Sequence, residues 1–187
     1  MPYQYPVLIA LTAQRLWELY VSRKRWREDR ERGGAALVAE PHWPAMIAVH
    51  AAWVAGCWAE AGVNPPEYVS WIVLPMLLVW AAALGLRIWM MNALGPLWNA
   101  RIIQREEQPV VVEGPYRFVR HPNYLAVILE VAALPLLLGA YWTALIGSLA
   151  NALVLWRRIR AEEAYLFTVK AYREAFADKK RLIPGVF

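Results

Sequence analysis

Four apolar stretches dominate this sequence and limit the folds open to it. The first runs from Tyr5 to Val21, interrupted by Gln14, Arg15 and Glu18; the second from Trp43 to Gly62, interrupted by His50 and Glu60. The third runs from Val69 to Met91, interrupted by Arg87, and the fourth from Asn123 to Trp156, with Glu130 and Asn151 as its strongly polar residues. One helix crosses the hydrocarbon of a bilayer with roughly 20 residues, so the fourth stretch is long enough for two. Gly139 lies near its middle, after Pro135, and glycine is the natural residue of a tight turn. The pattern predicts a helical hairpin with arms near 122–138 and 140–157. Such short arms suit a thin or locally deformed bilayer, or little tilt. The expected fold is all-α: a polytopic membrane protein with about five transmembrane helices. Composition agrees, with 59% hydrophobic residues and 11 Trp in 187 residues, since a soluble domain carries more charge and fewer Trp.

Lysine and arginine set the expected orientation. The segment after the first stretch carries Arg23, Lys24, Arg25, Arg27, Arg30 and Arg32. Arg101, Arg105, Arg117 and Arg120 lie between the third stretch and the hairpin, and eight more basic residues follow the hairpin from Arg157 to Arg181. The opposite loops, Val63 to Tyr68 and the Gly139 turn, carry none. This bias predicts an N-terminus outside and a C-terminus in the cytoplasm. No cleavable signal peptide is expected, because the first stretch lacks a basic leader and a small-residue cleavage site. The net charge of +5 does not imply nucleic acid as a partner. A cluster such as Arg23-Lys24-Arg25-Trp26-Arg27 is the ordinary anchor on anionic lipid headgroups. Cys57 lies in an apolar stretch and reads as a packing residue, and as the single cysteine it excludes an internal disulfide. Gly33 and Gly34 mark a break in the first cytoplasmic segment. The chain reads as one domain, 1–187, with membrane helices in 1–91 and the chemistry in 92–187.

Several chemistries are excluded. There is no GxGxxG, no P-loop and no HExxH motif, and His42, His50 and His121 are too scattered for a metal site. None of Ser22, Ser70 and Ser148 sits in a nucleophile elbow. Two polar clusters flank the hairpin instead. In the first, Gly114 to Tyr124, Pro122 disfavours α geometry at His121 and suits the first turn of a helix. That places Arg120 and His121 at a helix mouth, where an anion is favoured. Interfacial anchoring by Tyr116 and Tyr124 fits the same residues, and they leave both readings open. The second cluster, Arg157 to Glu163, continues the last helix, with Arg158–Glu162 at i,i+4 and Arg160–Glu163 at i,i+3 spacing for local ion pairs. The tail beyond, with Tyr172, Phe176 and Arg181, folds back or stays free; periodicity does not decide. Arg87 and Glu130 read equally as a site or as a mutual ion pair, and Arg15–Glu18 as a local pair.

Gly114, Tyr116, Arg120, His121, Pro122 and Tyr124 resemble the G-x-Y-x-x-x-R-H-P-x-Y-x-G segment of the isoprenylcysteine carboxyl methyltransferases, with Ala126 at the last glycine. The hairpin, then Glu162-Glu163, Tyr172, Phe176 (often tyrosine in that family) and Arg181-Leu182-Ile183-Pro184 continue the resemblance over residues 92–184. It implies S-adenosylmethionine as methyl donor, leaving as S-adenosylhomocysteine, in a cytoplasmic pocket roofed by the tail. Tyr116, Arg120, His121, Pro122, Tyr124, Glu162, Glu163, Leu166 and Tyr172 are the implied cofactor residues. Arg181, Glu163, Arg101 and Asn99 are the implied catalytic ones, with Arg101 or Arg181 steadying an acceptor oxygen. The implied acceptor is lipophilic: a prenylated cysteine carboxylate, or the hydroxyl of an alkylpyrone or alkylresorcinol. Residues 94–102 resemble the bacterial branch of the family, which implies a bacterial inner membrane. Phospholipid N-methyltransferases share the Glu-Glu element, and NADPH-dependent sterol reductases share an R-H-P-x-Y region, so both remain alternatives.

Overall fold

The computed structural model describes residues 3–38, 40–63 and 70–183. Helix α1 spans Gln4–Arg32, α2 Trp43–Val63, α3 Ser70–Leu94, α4 Pro122–Leu137, α5 Tyr141–Leu166 and α6 Lys170–Phe176. Three-residue strands β1, Ala35–Leu37, and β2, Ile103–Arg105, lie between them, with short 3-10 turns at Gly95–Leu97 and Gly114–Arg117. Helices α2 and α3 are each long and apolar enough to cross a membrane, whereas α4, at 16 residues, is shorter.

Helix α4 is the centre of the bundle. It packs against α3 and α5, and α2 packs on α5. Its residues Val127, Val131, Leu134 and Leu137 join Leu8 and Leu11 of α1 and Trp53, Cys57 and Ala61 of α2 in one buried cluster. The expected hairpin is present. Gly139 takes φ 76°, a conformation costly for any residue with a Cβ. The Ala140 N–H reaches back to the Pro135 carbonyl at 2.8 Å, which closes the turn. The tip loop expected at Val63 to Tyr68 falls, from residue 64 on, outside the described residues.

Two expectations change. The basic segment after Val21 is not a loop: α1 continues through it to Arg32, because long charged residues are good helix formers, and stops at Gly33, φ 82°. The fold is also not purely α. Gly33 and Gly34 both hold positive φ and turn the chain so that β1 pairs antiparallel with β2, Leu37 opposite Ile103. A three-residue pairing is too short to leave an alternating pattern in a sequence.

The charges inside the apolar stretches form a closed ring across three helices. Arg15 reaches Glu18 at 2.9 Å and Glu130 at 2.5 Å. Arg87 reaches Glu18 at 3.1 Å and also bonds Glu130. Gln14 donates to both carboxylates, at 3.1 and 3.3 Å. The Arg15–Glu18 pair expected from spacing and the Arg87–Glu130 pair, read equally as a site or an ion pair, are therefore halves of a single network. Removing one partner of such a buried set leaves an uncompensated charge, which costs about 3–5 kcal/mol.

Candidate active site

Gly114 opens the site-bearing segment with φ 58°, and a Cβ there would lie 2.9 Å from the Ala93 Cβ. Glycine thus serves the turn and lets the segment lie flat on α3. The chain then extends through Val119 to His121 and pairs with the tail: the Arg120 N–H donates to the Lys180 carbonyl and the His121 N–H to the Arg181 carbonyl, each at 2.9 Å. These two amides, expected near an anion at the helix mouth, are engaged by the tail. The tail is therefore folded back. His121 sits outside the α region at φ −126°, ψ 61°, and Pro122 starts α4, where a missing N–H costs nothing.

Glu163 of α5 gathers His121 and two arginines. It accepts from His121 Nε2 at 3.1 Å, lies 3.2 Å from an Arg120 guanidinium nitrogen, and receives Arg181 Nε at 3.0 Å and a second Arg181 nitrogen at 2.7 Å. Burial pushes its pKa up, but the hydrogen bonds from His121 and Arg181 and the charge of Arg120 prevail and hold it at about 2. Glu162, one residue earlier, accepts the Tyr124 hydroxyl. Burial, together with the nearby Glu162, pushes the Tyr116 phenol upward, and Tyr172 is raised likewise by burial and both glutamates. Tyr172 stacks on Phe176 at 4.6 Å.

The local pairs read from the helix spacing do not form. Arg158 donates to Glu40 at 2.7 Å, to the Tyr124 hydroxyl at 2.8 Å and to the Ala100 carbonyl at 2.5 Å. Arg160 lies over the Trp156 ring at 4.9 Å. Tertiary partners outbid the neighbours on the helix, because a weak i,i+4 pair at a surface is worth only about 0.2–0.5 kcal/mol. Glu40 and Arg158 are the candidate site residues that sequence reasoning missed. Glu40, wholly buried, also accepts from the Ile102 N–H at 3.0 Å and Arg101 Nε at 3.4 Å. It sits in no motif. For Arg158 a signal existed: it shares a helix face with Leu155 and Glu162.

Two cavities meet at this cluster. A cleft of about 140 Å³ is lined by Asn99, Arg101, Tyr116, Arg120, His121, Glu162, Leu166 and Tyr172, together with Arg105, Gln108, Tyr165 and Phe176. An apolar slot of about 540 Å³ runs along α1 and α2, with Trp98, Ala100, Tyr124 and Arg158 at one end. The segment between β2 and the Gly95 turn is the partition: Trp98 and Ala100 face the slot, Asn99 and Arg101 the cleft. Asn99 is a bracket, donating to the Ser22 carbonyl at 3.0 Å and accepting from the Ser22 hydroxyl at 2.7 Å. Of the remaining expected residues, Glu163 and Arg181 stand behind the cleft lining and Pro122 serves the helix start. Pro184 lies outside the described residues. Among the described residues no cluster suits a metal ion.

Comparison with known proteins gives this arrangement a context. The chain is 35% identical over 161 residues, 86% of its length and 95% of the relative's, to the uncharacterized protein YpbQ of Bacillus subtilis. It is 31% identical over 86 residues, 44% of its length and 34% of the relative's, to the protein-S-isoprenylcysteine O-methyltransferase of Schizosaccharomyces pombe. An uncharacterized protein of Haemophilus influenzae is 32% identical over 83 residues, 44% of this chain and 48% of that one. Residues 73–168, which carry α3, the partition, the His121 segment and the Glu162-Glu163 face, match the isoprenylcysteine carboxyl methyltransferase (ICMT) family, and the chain belongs to that family of methyltransferases.

Proposed function

We propose that the protein is an S-adenosylmethionine-dependent O-methyltransferase of a lipophilic acceptor, a single domain crossing the membrane about five times with its basic ends in the cytoplasm. The observation that carries this reading is the pair of cavities sharing one wall, polar on one side and apolar on the other. A water-soluble donor and a membrane-soluble acceptor need that division.

The cleft residues fit the donor. Arg120 Nε and the Tyr172 hydroxyl are buried without hydrogen-bond partners among the described residues, and both side chains line the cleft. They suit the donor's carboxylate, while Glu162 suits its amino group or ribose hydroxyls. Tyr116 and Leu166 suit the adenine. When bound, the donor supplies an electrophilic methyl on a sulfonium. Ligand sites of this class run to about 300–1,000 Å³, so the cleft is partly closed, and the tail clamped by Arg181 on Glu163 is the part that shifts to admit a donor.

On this reading Arg158 takes the role expected of Arg181 and Arg101 toward the acceptor oxygen. It lines the slot beside Tyr124 and is held from behind by Glu40, so its guanidinium is positioned before the acceptor arrives. The chain's own part in the transfer would be to align the acceptor oxygen and to exclude water. The acceptor is an isoprenylcysteine-type carboxylate or an alkylpyrone or alkylresorcinol hydroxyl.

A nicotinamide reductase would need a free cation for the 2′-phosphate. Arg105 is paired with Asp29 at 2.6 Å and Arg101 with Glu40 and the Trp43 ring, which leaves in the cleft, among the described residues, only the Arg120 already given to the donor's carboxylate and favours the methyltransferase reading. Thermal unfolding in the presence of S-adenosylhomocysteine, beside NADPH, tests it. Stabilisation by the first alone is expected, and stabilisation by NADPH alone overturns the proposal.

A further inference from the structure

The apolar slot holds polar groups that methyl transfer does not use. On α2 its lining runs Trp43, Met46, Ile47, His50, Val54 and Trp58, one face of the helix over about 22 Å at 1.5 Å per residue. Trp43 marks the reacting end, because Arg158 and Arg101 lie over its ring at 5.6 and 5.0 Å. Trp58 marks the far end, where its indole N–H donates to the Thr12 hydroxyl. His50 stands between them, about 10 Å from Trp43 along the helix.

The His50 ring is oriented. Its Nδ1 lies 2.9 Å from the Met46 carbonyl, and a carbonyl only accepts, so Nδ1 carries the hydrogen. In the neutral ring Nε2 is then an acceptor, and it has no partner among the described residues. Arg15, Glu18 and Arg87 line the same stretch of slot, and with Glu130 their charges cancel. A charge-balanced ring offers nothing to an anion or a cation. A fixed acceptor beside it favours a neutral donor, and a hydroxyl is the smallest one a lipid chain carries.

We propose that His50 forms a second recognition point in the slot, reading a hydroxyl on the acceptor's chain about 10 Å from the methylated oxygen. This deepens the proposed function and rests on it: the acceptor is a chain oxygenated at its head and again part-way along, not a plain alkyl or prenyl tail. Its specificity comes from the desolvation cost of leaving either group unpaired in an apolar slot.

Trp43, Trp58 and Trp98 line the slot, so intrinsic tryptophan fluorescence reports its occupancy. The full chain in lipid nanodiscs is titrated with pentadecylresorcinol and with the same molecule bearing one chain hydroxyl at about 10 Å from the ring. The hydroxylated probe is expected to bind about tenfold more tightly. His50→Phe is expected to abolish that difference, and a thermal unfolding midpoint matching the parent's shows that the variant is folded. Equal affinity in the parent, a preference that survives in His50→Phe, or no binding of either probe overturns the proposal. Stabilisation by S-adenosylhomocysteine is read on the same samples. If it fails while the preference for the hydroxylated probe holds, the methyltransferase reading falls and the recognition point stands.

Discussion

Glu163 takes three partners, His121 and two arginines, from two separate segments, and its pKa of about 2 ties them to pH. A carboxyl held below its unfolded value of about 4.3 stabilises the fold fully above that value, and the contribution is lost as pH falls through the folded one. Thermal unfolding should therefore show stability falling between about pH 4.5 and pH 2, and Glu163→Gln should flatten that part of the profile. Donor binding tests the same cluster. His121→Ala should weaken S-adenosylhomocysteine by about 1.5–3 kcal/mol in calorimetry, the usual loss for a charge-assisted hydrogen bond, and Glu163→Ala should weaken it through the His121 and Arg120 that it holds; unchanged affinity in both removes them from the site. The two arginines should separate kinetically. Arg158→Lys should lower turnover far more than donor affinity, since lysine cannot span Glu40, Tyr124 and an acceptor oxygen with one planar group. Arg181→Lys should act first on donor affinity, and a loss of turnover alone would return the acceptor role to Arg181. The His121 segment and the Glu162-Glu163 face were legible because each is a short run of unusual side chains. Arg158 was misread, because its carboxylate partner lies 118 positions away and a plausible one lay four away.

Among the elements, the hairpin was the most legible, because the apolar stretch is too long for one crossing and Gly139, four residues after Pro135, lies near its middle. What spacing did not reveal is how closely its second arm approaches α2. A Cβ on Gly147 would lie 2.7 Å from Trp53 Cδ1, and the Trp53 indole donates to the Val131 carbonyl at 3.2 Å, so the ring has nowhere to go. Gly147→Ala should destabilise the protein by about 1–3 kcal/mol, the range for an overpacked core. Gly85 meets nothing within 4 Å, and Gly85→Ala should be neutral or slightly stabilising, as expected for glycine replaced in a helix. Equal effects in thermal unfolding would show that the contact at Trp53 is not a tight one. The ribbon of β1 and β2 was illegible for the opposite reason: three residues a side, fixed by the turn at Gly33 and by pairing with a segment far along the chain, leave no periodic trace.

For the molecule as a whole, the distribution of lysine and arginine predicts which end of the bundle faces the cytoplasm. Reporters that fluoresce only there should be dark at the N-terminus and bright at the C-terminus; the reverse would put the cleft on the wrong side for a cytoplasmic donor. The ring of Arg15, Glu18, Arg87 and Glu130 bears on how such a molecule is made. On the proposed topology helix α1 enters the bilayer first, and its Arg15 and Glu18 neutralise one another at once. Helix α3 brings Arg87 with no partner of its own, and at about 2.5–3.5 kcal/mol for a lone charge at mid-bilayer it depends on Glu18, already waiting on α1. Only when α4 delivers Glu130 is the surplus positive charge cancelled. Synthesis from one end to the other thus offers each newcomer a counter-charge in turn. On that topology a chain that stops short of α4 would be left with a stranded cation in the lipid, which would distinguish an unfinished molecule from a finished one before any activity does.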